Sequence, residues 1–335
     1  MTYPFVSIII PTKNNENTIE NCMKSLINLD YPEECYEIIV VDGHSTDKTV
    51  EISRKYGTKV FYEEGGTRAS ACNVGIAQVH GDYVAFTDAD CVVDRKWLRN
   101  SFKYFNDDYV AGVGGPNIVP DDAVPFCKAI DFVISHSIFS ADATYAKKLG
   151  TPSEVESIAG CNSIYRTKVL KEVFPIDETT TAEDTLLNHR IRMMGLRLID
   201  APDIFVWHYR HWDTPELFLK RMIAYSKGRV QVGRLYKEMV KPLHKLVGFS
   251  LPVIFLMIII LYSINKLIFL SVIGIGISFL IFFSIKCLYE TGSLNVSIRV
   301  PVVIIIEWIG WSIGYMEETL LGGKRRYLMF KNKKA

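Results

Sequence analysis

The chain lacks an excess of charge of either sign. Its 38 Lys and Arg residues are balanced by 37 Asp and Glu, for a formal net charge of +1, so no polyanionic partner is implied and nucleic-acid binding is not expected. Paired cysteines are lacking too. The seven, Cys22, Cys35, Cys72, Cys91, Cys127, Cys161 and Cys287, include no Cys-x-x-Cys pair and no histidine at zinc-type spacing. That pattern excludes a spacing-defined zinc module and points to free thiols in a reducing compartment. The first residues, Met1-Thr2-Tyr3-Pro4, show no basic stretch followed by an apolar one, so the N-terminal part is expected to stay cytosolic. The first apolar run is not followed by a glycine-rich phosphate loop. Pro11-Thr12-Lys13-Asn14-Asn15 stands there instead, which argues against a nucleotidyltransferase.

What the sequence does have is alternation. Val6–Ile10, Tyr36–Val41, Lys59–Tyr62 and Tyr83–Thr87 are short apolar runs, separated by helical patterns over Ile19–Leu29, Thr49–Tyr56 and Arg68–Val79. This β-α-β-α-β-α-β order predicts an α/β domain with a mostly parallel sheet and helices on both faces. Asn15 or Asn17, Ser45-Thr46-Asp47 and Thr67 mark the helix starts.

Polar residues gather where such sheets bind ligands, at the carboxyl ends of strands. Pro11 to Asn15 follow the first strand, Asp42-Gly43-His44-Ser45-Thr46-Asp47 the second and Asp88-Ala89-Asp90 the fourth. Two carboxylates one residue apart at a strand end are placed to hold a hard cation such as Mg²⁺, which shares its shell with substrate phosphates. A nucleoside-diphosphate substrate is the natural guess. Asp42 is either an acceptor for a base or ribose or the start of a turn, and Asp47 reads as a helix cap.

In Gly65-Gly66-Thr67-Arg68, an arginine occupies a first helical turn, where the dipole disfavours a cation. Arg68 therefore implies an anion nearby, and a diphosphate would serve both it and the free amides. Asn73 and Gly75 either join that site or let the helix pack closely on the sheet. Further on, Gly160-Cys161-Asn162-Ser163-Ile164-Tyr165-Arg166 precedes Glu183-Asp184, at the start of a helical stretch over Thr185–Met194. Such a pair can divide roles, one member fixing geometry and the other acting as general base. His208 is a third metal ligand, a phosphate contact or a structural histidine, and His211 a weaker candidate.

Near Leu246 the composition changes. Leu246–Ile264 and Leu267–Ile285 are long apolar runs interrupted by Asn265-Lys266, each long enough to cross a bilayer as a helical hairpin. A third run, Ile298–Met316, carries Arg299, Pro301 and Glu307 and reads either as a span or as an interfacial or re-entrant helix. If it spans, the tail bearing Lys324, Arg325, Arg326, Lys331, Lys333 and Lys334 falls opposite the N-terminal domain, against the positive-inside tendency. Glu216 to Lys245 mixes apolar and basic residues as a connector lying on an anionic membrane surface would.

The ordered set Pro11-Thr12-Lys13-Asn14, Val41-Asp42-Gly43 with Ser45-Thr46-Asp47, Arg68 with Asn73 and Gly75, Asp88-Ala89-Asp90, Gly160 to Arg166, Glu183-Asp184 and His208 resembles glycosyltransferase family 2, over Val6 to about Arg229. The resemblance implies the nucleotide-sugar transferase fold called GT-A, a donor activated by UDP, GDP or dTDP, a divalent metal (Mg²⁺ or Mn²⁺) and inversion at the anomeric carbon. Carried onto this chain, Pro11, Thr12, Asn14 and Asp42 would face the nucleoside and Arg68 the nucleotide. Asp88 would serve the ribose or metal shell, Asp90 and His208 the metal, and Asp184 with Glu183 catalysis, Asp184 as base. Processive synthases of the family carry Gln-x-x-Arg-Trp near the membrane. Here Leu217-Phe218-Leu219-Lys220-Arg221-Met222 lacks the Gln and the Trp, which favours a non-processive enzyme over a polysaccharide synthase and leaves Arg221 as a diphosphate contact or a headgroup-facing residue.

The expected organisation is a GT-A catalytic domain over 1–230, a surface connector over 216–245, a membrane region over 246–320 and a basic tail over 321–335. The expected partners are a nucleotide-sugar donor, a lipid-linked or glycan acceptor and the cell membrane, with the catalytic part on its cytoplasmic side. A non-catalytic nucleotide-sugar sensor is the alternative from another class.

Overall fold

A computed structural model of the chain describes residues 3–140, 150–177, 179, 181–210 and 212–332, with backbone alone at Ser137, Ser140 and 323–332. Met1, Thr2, Glu178, His211, Lys333 and Lys334 lie outside the described residues.

The first elements follow the expected alternation: β1 (Val6–Thr12), α1 (Ile19–Ile27), β2 (Tyr36–Asp42), α2 (Thr49–Lys55), β3 (Lys59–Tyr62), α3 (Arg68–Ile76) and β4 (Tyr83–Thr87). There follow β5 (Cys91–Val93), α4 (Trp97–Ser101), β6 (Val110–Gly114), β7 (Asn117–Ile118), α5 (Pro125–Ile134), α6 (Ser137–Ser140), β8 (Ser153–Glu154), β9 (Asn162–Arg166), α7 (Thr167–Val173), α8 (Glu183–Met193), β10 (Arg197–Asp200) and β11 (Val206–His208). The last elements are helices: α9 (Pro215–Leu235), α10 (Pro242–Ile264), α11 (Lys266–Thr291), α12 (Leu294–Ser297) and α13 (Val300–Asn332). Among the described residues two compact units form, residues 3–122 with 150–210, and residues 123–140 with 212–332. The first unit thus ends at Arg210, before the boundary at 230 that the sequence pattern suggested, and α9 belongs to the second.

The first unit is built on an eight-stranded sheet in the order β3-β2-β1-β4-β9-β6-β10-β8. Every residue of β1 is buried, as its unbroken apolar run requires of a strand covered on both faces. Helix α3 lies close on β1, since a Cβ at Gly75 would stand 2.7 Å from Ile9 Cγ2. Strands β1 to β4 are parallel, but β9 enters antiparallel between β4 and β6. That inversion sets the site, because the register Thr87↔Asn162 lays the start of β9 beside the end of β4. A second, three-stranded sheet runs β5-β11-β7. In it β11 pairs antiparallel with β5, with His208 opposite Cys91.

In the second unit α9 packs along α13. Ser226 Oγ donates to Trp311 O at 2.6 Å, and Lys227 pairs with Glu317 at 2.8 Å. Gly310 and Gly314 make room for the contact, a Cβ at Gly310 meeting Met222 Cβ at 2.7 Å and one at Gly314 meeting the Ile223 backbone. Much of the expected connector is therefore helix α9, packed on α13. Arg221 stacks over Tyr225, 4.5 Å from the ring centre, and faces Trp212 at 5.7 Å. Among the described residues, three helical stretches, Pro242–Ile264, Lys266–Thr291 and Leu294–Gly322, are long and apolar enough to cross a membrane. Of the apolar windows in α10 and α11 only 6% is buried, against 39% in the third, so the hairpin turns its side chains outward while the third helix is engaged with its neighbours over a larger share of its surface.

Candidate active site

The strand ends of the first unit assemble the polar clusters one by one. After β1 and β2 the two loops interlock. Asn14, in the left-handed region at φ 54°, donates its N–H to Ser45 Oγ at 2.8 Å and accepts from Thr46 N at 2.9 Å through Oδ1. Thr12 Oγ1 donates to Asn15 Oδ1 at 3.1 Å. Asp42 is fully buried and accepts from Ser45 N at 2.8 Å and from the Ser45 hydroxyl, so its carboxylate closes the turn. Asp47 caps the next helix through Thr49 N and ties down Glu16 N. Pro11 is buried within β1. Glu63, which no sequence pattern marked, is buried behind these loops, accepts from Gly66 N at 2.8 Å and lies close to Gly43.

Arg68 is the organiser. Its Nε and Nη2 donate to Asp88 Oδ1 at 3.0 and 2.8 Å, Nη2 also to Gly160 O at 2.8 Å, and Nη1 to Glu183 Oε1 at 2.7 Å. The cation in a first helical turn is thus met by two of the protein's own carboxylates, Asp88 and Glu183. Thr67 supplies the cap, accepting from Ser70 N. Asn73 clamps the segment at Ile176 and Asp177 through three hydrogen bonds.

Opposite stands the start of α8. Tyr165 of β9 donates to Asn188 Oδ1 at 2.7 Å, and Asn188 donates to Ser157 Oγ and Ile158 O, which pins α8 to the sheet. Ala182, left-handed at φ 67°, turns the chain into the helix, a conformation that costs a non-glycine residue of order 1–3 kcal/mol. Glu183 and Asp184 follow in the first turn, where the dipole favours anions. Burial raises the Glu183 pKa, the Arg68 charge opposes that, and Asp184 adds to it. Asp184 accepts from Thr185 N at 2.6 Å and from Gly160 N at 3.2 Å. A small cavity bounded by Cys72, Gly160, Tyr165, Glu183 and Asp184 lies beside Arg68.

The end of β4 meets β11. Tyr209 N donates to Asp90 O at 2.8 Å, and His208 Nε2 lies 3.3 Å from Asp90 Oδ2. Burial disfavours charge on His208, yet Asp90 and Cys161 carry its pKa well above the ordinary value. Ligand atoms of Asp88, Asp90 and His208 all fall within 4.8 Å of one another. Two carboxylates and an imidazole are a donor set suited to a hard or borderline divalent cation, so the residues fit such an ion. A second cluster, Cys91, Cys161 and His208, meets the same distance limit. No sequence signal marked it, because its members come from three separate segments.

The comparisons with known proteins agree with this frame. The family model for glycosyl transferase family 2 matches residues 7–174. A Methanococcus voltae protein named dolichyl N-acetyl-alpha-D-glucosaminyl phosphate 3-beta-D-2,3-diacetamido-2,3-dideoxy-beta-D-glucuronosyltransferase is 30% identical over 241 residues, covering 67% of this chain and 73% of that protein. Among solved structures, a mannosyltransferase from Pyrobaculum calidifontis in complex with GDP-Man and Mn²⁺ superposes with TM-score 0.62 at 21% identity, covering 92% of this chain and 88% of that one. Residues 1–349 of TarS from S. aureus, in complex with UDP, give 0.51 at 20% identity, with 94% and 91% covered. At those identities the structural likeness speaks for the fold alone. The chain belongs to glycosyl transferase family 2, with a GT-A catalytic fold and a C-terminal helical region, and is a glycosyltransferase.

Proposed function

We propose that this enzyme transfers a sugar, with inversion, from a nucleoside-diphosphate donor to a hydroxyl of a lipid-linked or glycan acceptor at the cytoplasmic face of the cell membrane, one residue per encounter. The observation that carries the reading is the bridge through Arg68, which joins Asp88 at a strand end to Glu183 at a helix start. It holds the Asp88/Asp90/His208 cluster and Asp184 on a single frame. In the proposed reaction the acceptor oxygen gives its proton to Asp184, bonds to the anomeric carbon and displaces the nucleoside diphosphate from the opposite face. No enzyme nucleophile is needed. A divalent cation such as Mg²⁺ or Mn²⁺ bound by Asp88, Asp90 and His208 would offset charge on the departing diphosphate.

Thr12, Asn14 and Asp42 are assigned to the nucleoside end and Glu183 to holding Arg68. The solved mannosyltransferase holding GDP-Man and Mn²⁺ and the relative whose name contains a dolichyl sugar phosphate support the donor, metal and lipid parts of the reading. So do the outward apolar faces of α10 and α11. The missing Gln-x-x-Arg-Trp supports a single transfer.

The test is a screen of nucleotide sugars with the purified protein and native lipid extract, reading lipid products by mass spectrometry. Asp184→Asn is expected to lower transfer by roughly 100-fold or more while donor binding changes little. Sugar entering only water-soluble products would refute the lipid acceptor. Binding of donors without turnover of any would favour the sensor.

A further inference from the structure

His208 has two faces, and only one of them looks at the carboxylates. Nε2 faces Asp90 Oδ2 at 3.3 Å, while Nδ1 lies 3.8 Å from Cys161 Sγ. Cys91 Sγ completes a triangle whose three donor atoms lie within 4.8 Å of one another. We propose that Cys91, Cys161 and His208 Nδ1 form a second metal site, one that takes a thiophilic divalent cation such as Zn²⁺.

Four features support it. The positions are set by strands: Cys91 opens β5 directly opposite His208 at the end of β11, and Cys161 immediately precedes β9. A donor set on paired strands holds its geometry better than one on loops. The spacing suits the ion, since tetrahedral bonds of about 2.3 Å to sulfur and about 2.0 Å to nitrogen would set the two donors about 3.5 Å apart, a few tenths less than is found between Cys161 and His208. Two sulfurs and an imidazole select zinc over Mg²⁺ or Mn²⁺, which prefer oxygen. Finally, Asp90 sits where metal-bound histidines keep a carboxylate partner on the other ring nitrogen, fixing the proton on Nε2 and the lone pair on Nδ1. Both thiols are buried, Cys91 at 0% and Cys161 at 7% exposure, so the site is shielded from bulk solvent. Three protein donors leave a tetrahedral ion one further position.

The inference stands apart from sugar transfer, but it has a consequence for the neighbouring cluster. An imidazole donating Nε2–H to Asp90 has no lone pair there for a hard cation. Zinc at the thiols therefore weakens Mn²⁺ at Asp88 and Asp90, and Mn²⁺ weakens zinc by the same factor.

The experiment uses the full chain in detergent, reduced with a non-thiol reductant, freed of metal by chelator and titrated with Co²⁺. Sulfur-to-cobalt charge-transfer absorption in the near ultraviolet, with tetrahedral bands in the visible that saturate near about one equivalent and disappear on adding Zn²⁺, is the expected result. Cys91→Ser and Cys161→Ser are each expected to weaken Co²⁺ binding by about tenfold or more, with Cys35→Ser unchanged. A wild-type protein that binds Co²⁺ without any charge-transfer band, or not at all, overturns the proposal whether or not the variants fold. So does a band of full intensity in the double serine variant.

Discussion

Single side chains in this enzyme are mostly committed to one another. The guanidinium of Arg68 meets Asp88, Glu183 and the Gly160 carbonyl at once, with Nε, Nη1 and Nη2 all in use. Gly160 is small for the same reason, because a Cβ there would stand 2.8 Å from Arg68 Nη1. A lysine keeps the charge but has one nitrogen in place of a planar fork. Arg68→Lys is therefore expected to leave Asp88 or Glu183 without its partner. We predict a loss of about 2 kcal/mol or more of transition-state stabilisation, read as a roughly 30-fold or greater fall in kcat/KM. Activity within a factor of about two of wild type would mean that the bridge does not position the site. The sequence showed Arg68 as out of place in its helical turn, and that signal was sound. It could not show that the compensating anions lie 20 and 115 residues away along the chain.

At the scale of elements, β9 matters most. The alternating pattern from Val6 to Thr87 foretold β1 to β4 and their helices to within a few residues, because each is a short-range periodicity. It carried no information on a strand that inserts antiparallel between β4 and β6, since strand pairing is decided by long-range contacts. Asn162, at the start of β9, shows what holds it. It accepts from Trp97 Nε1 at 2.8 Å and donates to Pro116 O and Ile204 O, partners in segments on both sides of it in the chain.

Strand β10, separated from β9 by β6, ends on Asp200, buried to 1% exposure, with Oδ1 lacking a hydrogen-bond partner. Burial pushes its carboxyl up to about 7. That lies above the unfolded value of about 3.9, so the folded protein holds the extra proton between the two. Stability on this account falls as pH rises through that window and is lowest above the folded pKa. Asp200→Asn is predicted to stabilise the first unit more at about pH 8 than at about pH 5, by a difference of about 2 kcal/mol, measured as the shift in its unfolding transition. An equal shift at both pH values would contradict it.

For the molecule as a whole, the apolar helices set how it is handled by the cell. α13 alone has 33 residues, about 50 Å of helix, against a bilayer core of about 30 Å. The α10–α11 hairpin exposes large side chains such as Phe255, Leu267, Ile275 and Phe282, each more than half exposed, a burden no water-soluble surface carries in that density. The chain is therefore predicted to stay with the membrane pellet in high salt and in alkaline carbonate and to enter solution only with detergent. Release by salt alone would reduce the hairpin to a peripheral contact.

By itself the sequence determined the strand-end clusters, the family resemblance and the three apolar runs, all properties carried by neighbouring residues or by their order. The tertiary structure decided what those residues do to each other. Arg68 stood out of place in its helical turn, and the fold brings Asp88 and Glu183 to it. Asp42 ends β2, and its carboxylate accepts from Ser45 N. The absence of zinc-type spacing among the cysteines was real, yet strand pairing sets Cys91 opposite His208 and brings Cys161 to the same point. Spacing along a chain reports only ligands carried on one turn or one hairpin. A cluster drawn from β5, β11 and the approach to β9 exists only once the two sheets have formed.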